Sequence, residues 1–416
     1  MKQTGTVENG WISMLKGDSP RKQELPAIWN RRGSALPVVM LVILVLSLLG
    51  SGLLSLTLGE GRGAANDVQI NQATYLAEAG INLALANLRR DPGWRAGLAN
   101  LQLTDRGRLE RVTVTDKPLS LRLQAYAEVN GIRRTVFADV ARPLTSYTLA
   151  AGSGQGDLWE TPLLTIKGDI LYLGNLTVTL QKIEGNAAAS GNFTNLAGTI
   201  TGQVIAGRNL INYGSIKGKA YYGGSYYGYP SDQPAERASL AFPQGITDPA
   251  LPYRAGIPLT RDEYNLNELQ DIIASQPGDI KVLYREGNLV INGSDTTTYS
   301  GKAIIAASGS ITLKTDLQAG PDSAWALVAG GNFYVGDFWD LFKKFSVQGI
   351  IICGGTFSTS QLISFLNITG SLVTRDINTF LSSLQITWDS RFNGPLSSKL
   401  RAGGWEILAW GDTTPY

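Results

Sequence analysis

Residues 34–58, SALPVVMLVILVLSLLGSGLLSLTL, decide the N-terminal part of the fold. No charged side chain occurs between Ser34 and Gly59. At about 1.5 Å per residue, a helix of this length crosses a hydrocarbon layer of about 30 Å. A helix is required because lipid offers no partners to backbone N–H and C=O groups. We therefore predict a helix that spans or inserts into a membrane.

Two other structures share this apolar character. One is a buried core helix, and the uninterrupted length of the run argues against it. The other is the apolar part of a secretory signal, but no A-x-A cleavage site follows and the uncharged run is longer than a normal signal core.

The helical pattern continues from Ala64 to Arg89 and ends at Asp91-Pro92-Gly93. Small and apolar residues recur there at steps of three and four, which makes one apolar stripe on the helix. Small side chains allow another backbone to approach closely, so the stripe can pack on the chain's own sheet or on the helix of another subunit. The stripe consists of Ala73, Leu76, Ala77, Gly80, Ala84 and Leu88.

These features together resemble a known family. Arg31-Arg32-Gly33, directly before the apolar helix, resembles the prepilin-peptidase site of type IV pilins, and QATYLAEAGINLALANL (residues 72–88) looks like the PilX N-terminal domain of type IV pilus assembly proteins. The resemblance covers about residues 30–150. It implies a pilin-like fold, cleavage between Gly33 and Ser34 by a prepilin peptidase, and other pilins or pseudopilins as partners.

Two residues depart from the pattern of major pilins. Val38 stands at the fifth position after the inferred cut, where major pilins carry a glutamate that pairs with the neighbouring subunit's amino terminus. Ser34 replaces the usual phenylalanine at the first position. Both departures argue against polymerisation along a pilus shaft and favour a priming or tip subunit.

Residues 1–33 are expected to form a cytoplasmic leader peptide, which begins at residue 14 if Met14 is the true start. Six Lys and Arg residues outnumber three Asp and Glu residues in this segment. The positive-inside rule therefore places the N-terminus in the cytoplasm, with everything after Gly59 outside the inner membrane. The protein is then a single-pass membrane protein, with assembly into a pilus at the cell surface as a further step.

Composition excludes several classes of function. The 416-residue chain has 36 basic and 34 acidic residues, so no nucleic-acid partner is implied. It contains no histidine, which removes His-dependent triads, general bases and metal ligands. Cys353 is the single cysteine and permits no internal disulfide. We predict no catalytic, cofactor-binding or metal-binding residue.

Residues 34–90 form the predicted helix, and residues 91–150 are expected to form a small antiparallel head. Two alternating segments flank Asn130-Gly131, which is a strong signal for a two-residue hairpin turn. A long helix followed by such a hairpin predicts an α+β, pilin-like N-terminal part.

A repeat begins after residue 150. Gly168, Gly185, Gly202 and Gly218 each begin a strand–turn–strand unit, and units near 303, 326, 350 and 371 form a second series. Such fixed-period units predict an all-β parallel β-helix, a solenoid; an antiparallel β-sandwich is the alternative. We assign 151–228 to a first block, 229–280 to a Pro-rich insertion with a helix over 261–275 that covers a flank or an end, and 281–416 to a second block with a C-terminal cap.

The residues with reactive or sugar-binding side chains have simpler interpretations. Acidic residues beside glycines are usually turn formers, and Cys353 is expected to be a buried apolar residue. Clustered tyrosines form either a surface patch for polysaccharide or an internal aromatic ladder. The acidic candidates are Asp157, Asp169, Glu184, Asp316, Asp322, Asp337, Asp340, Asp376 and Asp389; the tyrosines are Tyr221, Tyr222, Tyr226, Tyr227 and Tyr229.

Two hypotheses about function follow. The first is a structural, non-enzymatic minor-pilin-like protein for pilus assembly, whose β-helix contacts surfaces or partners. The second is a membrane-tethered β-helix that acts on carbohydrate as an enzyme or adheres to it. The absence of histidine and of a readable carboxylate pair favours the first.

Overall fold

The computed structural model describes residues 35–91, 93–105, 107–117, 119–152, 164–238, 240–243, 245, 248–293, 297–336, 343–359, 365–378, 383–392, 396, 399–400 and 406–412. The leader, the junction Arg31–Ser34 and the candidates Asp157, Asp337 and Asp340 lie outside these residues. The chain divides into two compact units between Asn66 and Asp67.

Helix α1 runs from Ala35 to Arg90. It contains an 18-residue window of mean hydropathy 2.6, which is long and apolar enough to cross a membrane. Its large apolar side chains from Leu36 to Leu58 are exposed. Ser47 and Thr57 donate to the carbonyls of Ile43 and Leu53 at 2.7 and 2.9 Å, which satisfies these hydroxyls within the helix itself. The length and the exposed apolar surface of the first unit therefore fit a helix anchored in a membrane.

The second unit begins with the end of α1 packed on an antiparallel sheet. Two neighbouring strands, Ser120–Val129 and Ile132–Ala141, form a hairpin. At its turn Asn130 and Gly131 have φ of 49° and 85°, as a two-residue turn of type I′ requires. Inward residues alternate along these strands and meet the helix in one core. The strands are β1 Leu98–Thr104, β2 Gly107–Asp116, β3 Ser120–Val129 and β4 Ile132–Ala141.

A parallel β-helix follows, as predicted, and the β-sandwich alternative is wrong because the described strands of this region pair in parallel. The first block has short strands. They are β5 Leu149–Ala151, β6 Leu164–Lys167, β7 Ile170–Tyr172, β8 Leu176–Val178, β9 Lys182–Glu184, β10 Ala187–Ala189, β11 Phe193–Asn195, β12 Thr199–Ile200, β13 Val204–Ala206, β14 Leu210–Asn212, β15 Ser215–Ile216, β16 Ala220–Tyr222, β17 Tyr226–Gly228 and β18 Ala235–Arg237.

The second block has longer strands and one helix, α2 Leu266–Ser275. Short 3-10 turns occur at Leu144–Ser146, Leu251–Tyr253 and Ser390–Phe392. The strands are β19 Ile257–Pro258, β20 Glu263–Asn265, β21 Ile280–Arg285, β22 Leu289–Asn292, β23 Thr298–Tyr299, β24 Lys302–Ala307, β25 Ile311–Leu313, β26 Gln318–Ala319, β27 Ala324–Ala329, β28 Phe333–Val335, β29 Lys344–Cys353, β30 Thr356–Thr359, β31 Phe365–Thr374, β32 Asp376–Asn378 and β33 Ser383–Thr387.

The two blocks stack in an order that the chain order does not suggest. The last rung of the second block, β31, pairs with the first strand of the first block, β5, and β33 pairs with β6. One column of parallel pairs then runs β19-β21-β24-β27-β29-β31-β5-β7-β10-β13-β16-β18. The second block therefore continues the solenoid from the beginning of the first block, and the interior core is continuous through both.

A return segment connects the far ends of this column, from β18 back to β19. Eleven steps between rungs, at about 4.8 Å each, amount to about 53 Å, roughly three quarters of what the chain from Arg237 to Ile257 can reach when fully extended. On its way Phe242 lies beside Gly207, Gly245 beside Leu173, and Pro249 beside Gly354. The segment covers the outward face of the long sheet and helps to bury a second apolar cluster there.

Helix α2 closes one end of the solenoid. Its residues Leu266, Leu269 and Ile273 are buried in the interior core. The helix begins at Leu266 rather than at the predicted residue 261, because Glu263–Asn265 pairs with β22. The backbone N–H of Asn265 donates to the Glu268 carboxylate at 2.9 Å, which caps the helix.

The last strand that the structure describes is β34, Glu406–Asp412, which corrects the predicted C-terminal cap for these residues. This strand pairs antiparallel with β4, from Glu406 opposite Ala141 to Asp412 opposite Val136. It therefore completes a five-stranded head sheet of order β1-β2-β3-β4-β34. The solenoid is consequently an insertion between two neighbouring strands of the head. The apolar cluster outside the solenoid sheet also contains three residues that precede β34 in the sequence: Phe392, Leu396 and Leu400.

Candidate functional site

The predicted stripe on α1 faces the chain's own head sheet. Its six residues are buried, five of them among the inward residues of β2, β3 and β4. A Cβ at Gly80 would lie 2.5 Å from Leu109 Cδ1, so a larger residue there would force the Leu109 side chain to shift. The sequence left two partners open for this stripe, the chain's own sheet and the helix of another subunit. In the structure the sheet packs against it.

The opposite flank of α1 is open. A groove of about 930 Å³ runs between the helix and the end of the β1–β2 hairpin. Tyr75, Leu83 and Leu103 line it and are 69, 40 and 39 % exposed. These residues escaped the sequence analysis, because β1 lacks a clear alternation and was not predicted.

Ion pairs cover the outer face of the head sheet. Asp139 on β4 accepts hydrogen bonds from Arg122 at 2.7 and 2.8 Å and from Lys117 at 3.0 Å. The Arg122 guanidinium in particular holds the pKa of Asp139 below its usual value. Asp116 bridges Arg95 and Arg142 in the same way at 3.2 and 3.1 Å. These contacts join neighbouring strands, and each carboxylate is already engaged.

The acidic candidates within the described solenoid have structural partners. The Asp169 carboxylate accepts from the backbone and side-chain N–H groups of Asn186 at 2.9 and 3.0 Å, and Asp316 accepts from the backbone of Ser346 at 2.8 Å. Asp322 has φ of 54° in a turn. The others are Glu184, which pairs with Lys182, Asp376, which accepts from Ile377, and Asp389, which binds Arg391.

Cys353 lies in the solenoid interior and is 1 % exposed. Its sulfur lies 3.0 Å from the Thr374 hydroxyl oxygen. Burial raises the pKa of the thiol to about 12, so the thiol is neutral at ordinary pH and is a poor nucleophile.

The five predicted tyrosines lie at the end of the solenoid opposite α2, and they divide into two sets. Tyr222 and Tyr226 pack against the interior core, with ring centroids 5.8 Å apart, and Tyr221 packs on the outer apolar cluster. Tyr227 and Tyr229 are 55 and 62 % exposed. The structure therefore packs three of the five rings and exposes the other two.

Within the described residues, no group of three or more His, Cys, Asp or Glu side chains is placed to hold a metal ion. The contacts above are those of a scaffold, with its carboxylates used in turns and strand pairing. The arrangement that distinguishes the chain is a long apolar helix whose end packs on a small antiparallel head.

An arrangement of this kind is the pilin-like N-terminal fold that the sequence predicts. More particularly, residues 32–82 match the model of the PilX N-terminal family, which confirms the resemblance predicted from the sequence. The match and the apolar helix fit a chain anchored in a membrane by α1.

One similar solved structure is the crystal structure of the competence-associated pilin ComZ from Thermus thermophilus. It is 14 % identical, the alignment covers 83 % of this chain and 98 % of that chain, and the TM-score is 0.36. No curated protein matches the sequence.

Proposed function

We propose that this protein is a minor-pilin-like subunit that primes or tips a type IV pilus and displays its solenoid outside the membrane for contact with surfaces or partners. The observation that carries the proposal is the insertion of the solenoid between β4 and β34. Both of its connections lead into one head, and Leu119, Leu144 and Tyr147 beside the head belong to the same apolar cluster as the solenoid's outer face. A shaft subunit with this bulk would crowd its packed neighbours.

Val38 supports the same position. A shaft subunit must offer a carboxylate to the neighbouring amino terminus, because an unpaired ammonium in an apolar bundle is costly. Val38 cannot supply it. Glu60 lies roughly 33 Å further along the helix at about 1.5 Å per residue, too far to replace it.

Contact with other pilins falls on the open flank of α1, because the stripe is buried in the head. Val68, Tyr75 and Leu83 are exposed there by 54, 69 and 40 %. Tyr75→Asp should therefore weaken incorporation into a pilus complex, whereas Tyr334→Asp, an exposed tyrosine on the solenoid, should not. Equal incorporation of both variants, measured by co-purification with the other pilins, would remove this flank from the contact.

A prepilin peptidase cuts the chain between Gly33 and Ser34 in this proposal, and the leader stays in the cytoplasm. Gly33→Leu should leave the precursor uncut in cells that have the peptidase, because the basic pair and glycine directly precede the apolar helix. Gly17→Leu, inside the leader, is the matched control. N-terminal sequencing of the mature protein checks the cut, and a mature chain that begins elsewhere contradicts it.

Immunogold labelling tests the position in the filament. The expected labels are at filament ends or in envelope foci. The protein with its natural Val38 should enter the pilus complex without the substitution Val38→Glu. Regular labelling along sheared filaments, near the stoichiometry of the major subunit, would refute the proposal.

The carbohydrate-active enzyme is the weaker hypothesis. The described acidic candidates serve turns and strand pairing, and none of these contacts brings two carboxylates into the arrangement that glycoside hydrolysis uses.

A further inference from the structure

An exposed stripe of leucine and tyrosine runs along one corner of the first block. After β8, β11, β14 and β17 the chain turns, and the residue just beyond each strand aligns with the one in the next rung. Leu196 N–H donates to the Val178 carbonyl at 2.8 Å, Tyr213 N–H to the Asn195 carbonyl, and Tyr229 N–H to the Asn212 carbonyl, the last two at 2.6 Å. Thr179, Leu196, Tyr213 and Tyr229 therefore form one column, and Leu180 follows Thr179 in its first rung.

These side chains are unusually open for their type. Leu180 is 72 % exposed, Leu196 41 %, Tyr213 51 % and Tyr229 62 %. The rings of Tyr213 and Tyr229 meet edge to face, with centroids 5.9 Å apart. The return segment covers a different face of the solenoid, so nothing in the described chain lies over this corner.

The corner is held rigidly from inside. Asn195 and Asn212 are fully buried, and Asn195 Nδ2 donates to Asn212 Oδ1 at 2.9 Å. Asn212 Nδ2 in turn donates to the Tyr229 carbonyl at 2.9 Å. This ladder fixes the backbone that carries the stripe, so the rings are presented with little conformational entropy left to lose on binding.

Among the residues that the structure describes, the equivalent corner of the second block shows no such stripe. There Lys314 N–H donates to the Ile291 carbonyl and Gly336 N–H to the Leu313 carbonyl, so the column reads Asn292, Lys314 and Gly336. The stripe is thus not a general property of solenoid corners in this chain.

Charge limits the chemistry of the ligand. The four corner segments, 176–181, 193–198, 210–215 and 226–231, read LTVTLQ, FTNLAG, LINYGS and YYGYPS and contain no Asp, Glu, Lys or Arg. A polyanion such as nucleic acid is bound through Lys and Arg that neutralise its phosphates, so this corner does not suit it. Width limits the partner as well. A stable protein interface uses roughly 20–30 residues a side, and this stripe is one residue wide.

We propose that this corner binds a neutral polysaccharide that lies along the solenoid axis. The apolar ring faces of Tyr213 and Tyr229 contact the C–H faces of sugars, and the tyrosine hydroxyls contact water and sugar hydroxyls. Rungs repeat about every 4.8 Å along a straight line, which suits a linear chain of similar units. The inference rests on the proposed display of the solenoid outside the membrane and names the ligand class for it.

The test uses the full-length protein in detergent and immobilised probes: dextran, cellohexaose and chitohexaose as neutral glycans, and polygalacturonate and duplex DNA as polyanions. We expect binding to at least one neutral probe. The double variant Tyr213→Ala/Tyr229→Ala should bind that probe about tenfold more weakly, because two stacking rings are removed. Tyr229→Trp should retain binding.

Tyr334→Ala is the matched control, since Tyr334 is a 38 % exposed tyrosine on the second block. Circular dichroism and thermal unfolding establish that each variant is folded. Failure to bind any neutral probe, binding to the polyanions alone, or equal losses in the double variant and in Tyr334→Ala would overturn the proposal. Because filament position is read independently by immunogold labelling, failure here is distinct from failure of the proposed pilus role.

Discussion

The two blocks of the solenoid fill their interiors differently. In the first block the strands are mostly three residues long and alanines such as Ala187, Ala206 and Ala220 point inward. In the second block strands reach ten residues, and Ile305, Leu327 and Trp325 occupy the interior. Since interiors pack to a similar density, a longer coil encloses more space and needs larger side chains. Coil length and core residue size are therefore set together.

Their special contacts differ as well. The first block buries the Asn195–Asn212 ladder, whereas the second stacks aromatic rings. Tyr299 and Trp325 lie with ring centroids 4.6 Å apart, and Phe333 and Phe357 are 5.9 Å apart. A narrow coil thus uses hydrogen bonds that repeat with the rung, and a wide coil uses rings. Hydrogen exchange followed by mass spectrometry on the full-length protein can report the stability of each block separately, because repeats contact only their neighbours.

The largest effect is expected for Trp325→Ala. The indole is fully buried and stacked on Tyr299, so its removal should cost about 3–5 kcal/mol in the free energy of unfolding of the second block. Exchange should accelerate most in peptides from residues 298–353. Trp388→Ala, at a 40 % exposed tryptophan, is the control. If hydrogen exchange accelerated equally in both blocks, the solenoid would unfold as one unit. The two blocks would then not differ in stability.

A second pair of variants compares aliphatic cores directly. Ile351→Ala in the wide coil should cost about 3 kcal/mol and Val204→Ala in the narrow coil about 2 kcal/mol, because both side chains are fully buried and isoleucine loses one more methylene. Ile305→Ala should resemble Ile351→Ala. Exchange protection in the block that carries each change gives the free energies. A larger loss for Val204→Ala than for Ile351→Ala would contradict the account of core size.

Breaking the polar ladder tests the narrow coil. Asn195→Ala removes the donor to Asn212 Oδ1 and the acceptor of the Gly198 N–H, which are 2.9 Å away in both cases. An unsatisfied buried group costs about 1–3 kcal/mol, and first-block peptides should lose protection by that amount. Asn288→Ala, at an exposed ladder position of the second block, should cost less. The reverse ranking would show that the buried ladder is not what stabilises the coil.

The smallest effect is the change in stability expected between pH 9 and 10, about 1.4 kcal/mol. Cys353 has a folded-state pKa raised from 9.0 to about 12 by burial, so the unfolded thiol ionises first. Its stabilising contribution is complete below pH 9 and is lost as the pH rises towards 12, at about 1.4 kcal/mol per unit. Cys353→Ala, which continues the column of Ala307 and Ala329, should lack this loss between pH 9 and 10. Parallel curves for both proteins in urea unfolding would exclude the thiol as the cause.

The sequence predicted those features that have a local period. The uncharged run gave the membrane helix, Asn130-Gly131 gave the hairpin, and repeated glycines gave the parallel β-helix. The order in which the rungs stack was not predictable in this way. Strand β31 pairs with β5 through backbone hydrogen bonds, and these do not depend on a particular residue type. Strand β34 was misassigned as a cap for a similar reason, since an aromatic-rich strand suits either partner.

The candidate site shows the same limit. The stripe on α1 was visible as a helical period, but its partner was not, because small residues fit a sheet and a helix equally well. The stripe of Leu196, Tyr213 and Tyr229 was missed even though its residues recur at the repeat period. The tyrosines were grouped by proximity in sequence, and only the rung alignment shows which of them share a surface.

The pairing of Ala141 with Glu406 has a consequence for how this chain can be altered. Because these partners face each other across β4 and β34, a short turn between them would join the two strands as an ordinary hairpin and leave a five-stranded head. The two points at which the inserted domain joins the head are therefore adjacent, at Ala141 and Glu406. Any folded domain with neighbouring termini could be inserted between them. The inserted domain can therefore be exchanged by a single replacement of coding sequence, and the sequence of α1 stays unchanged.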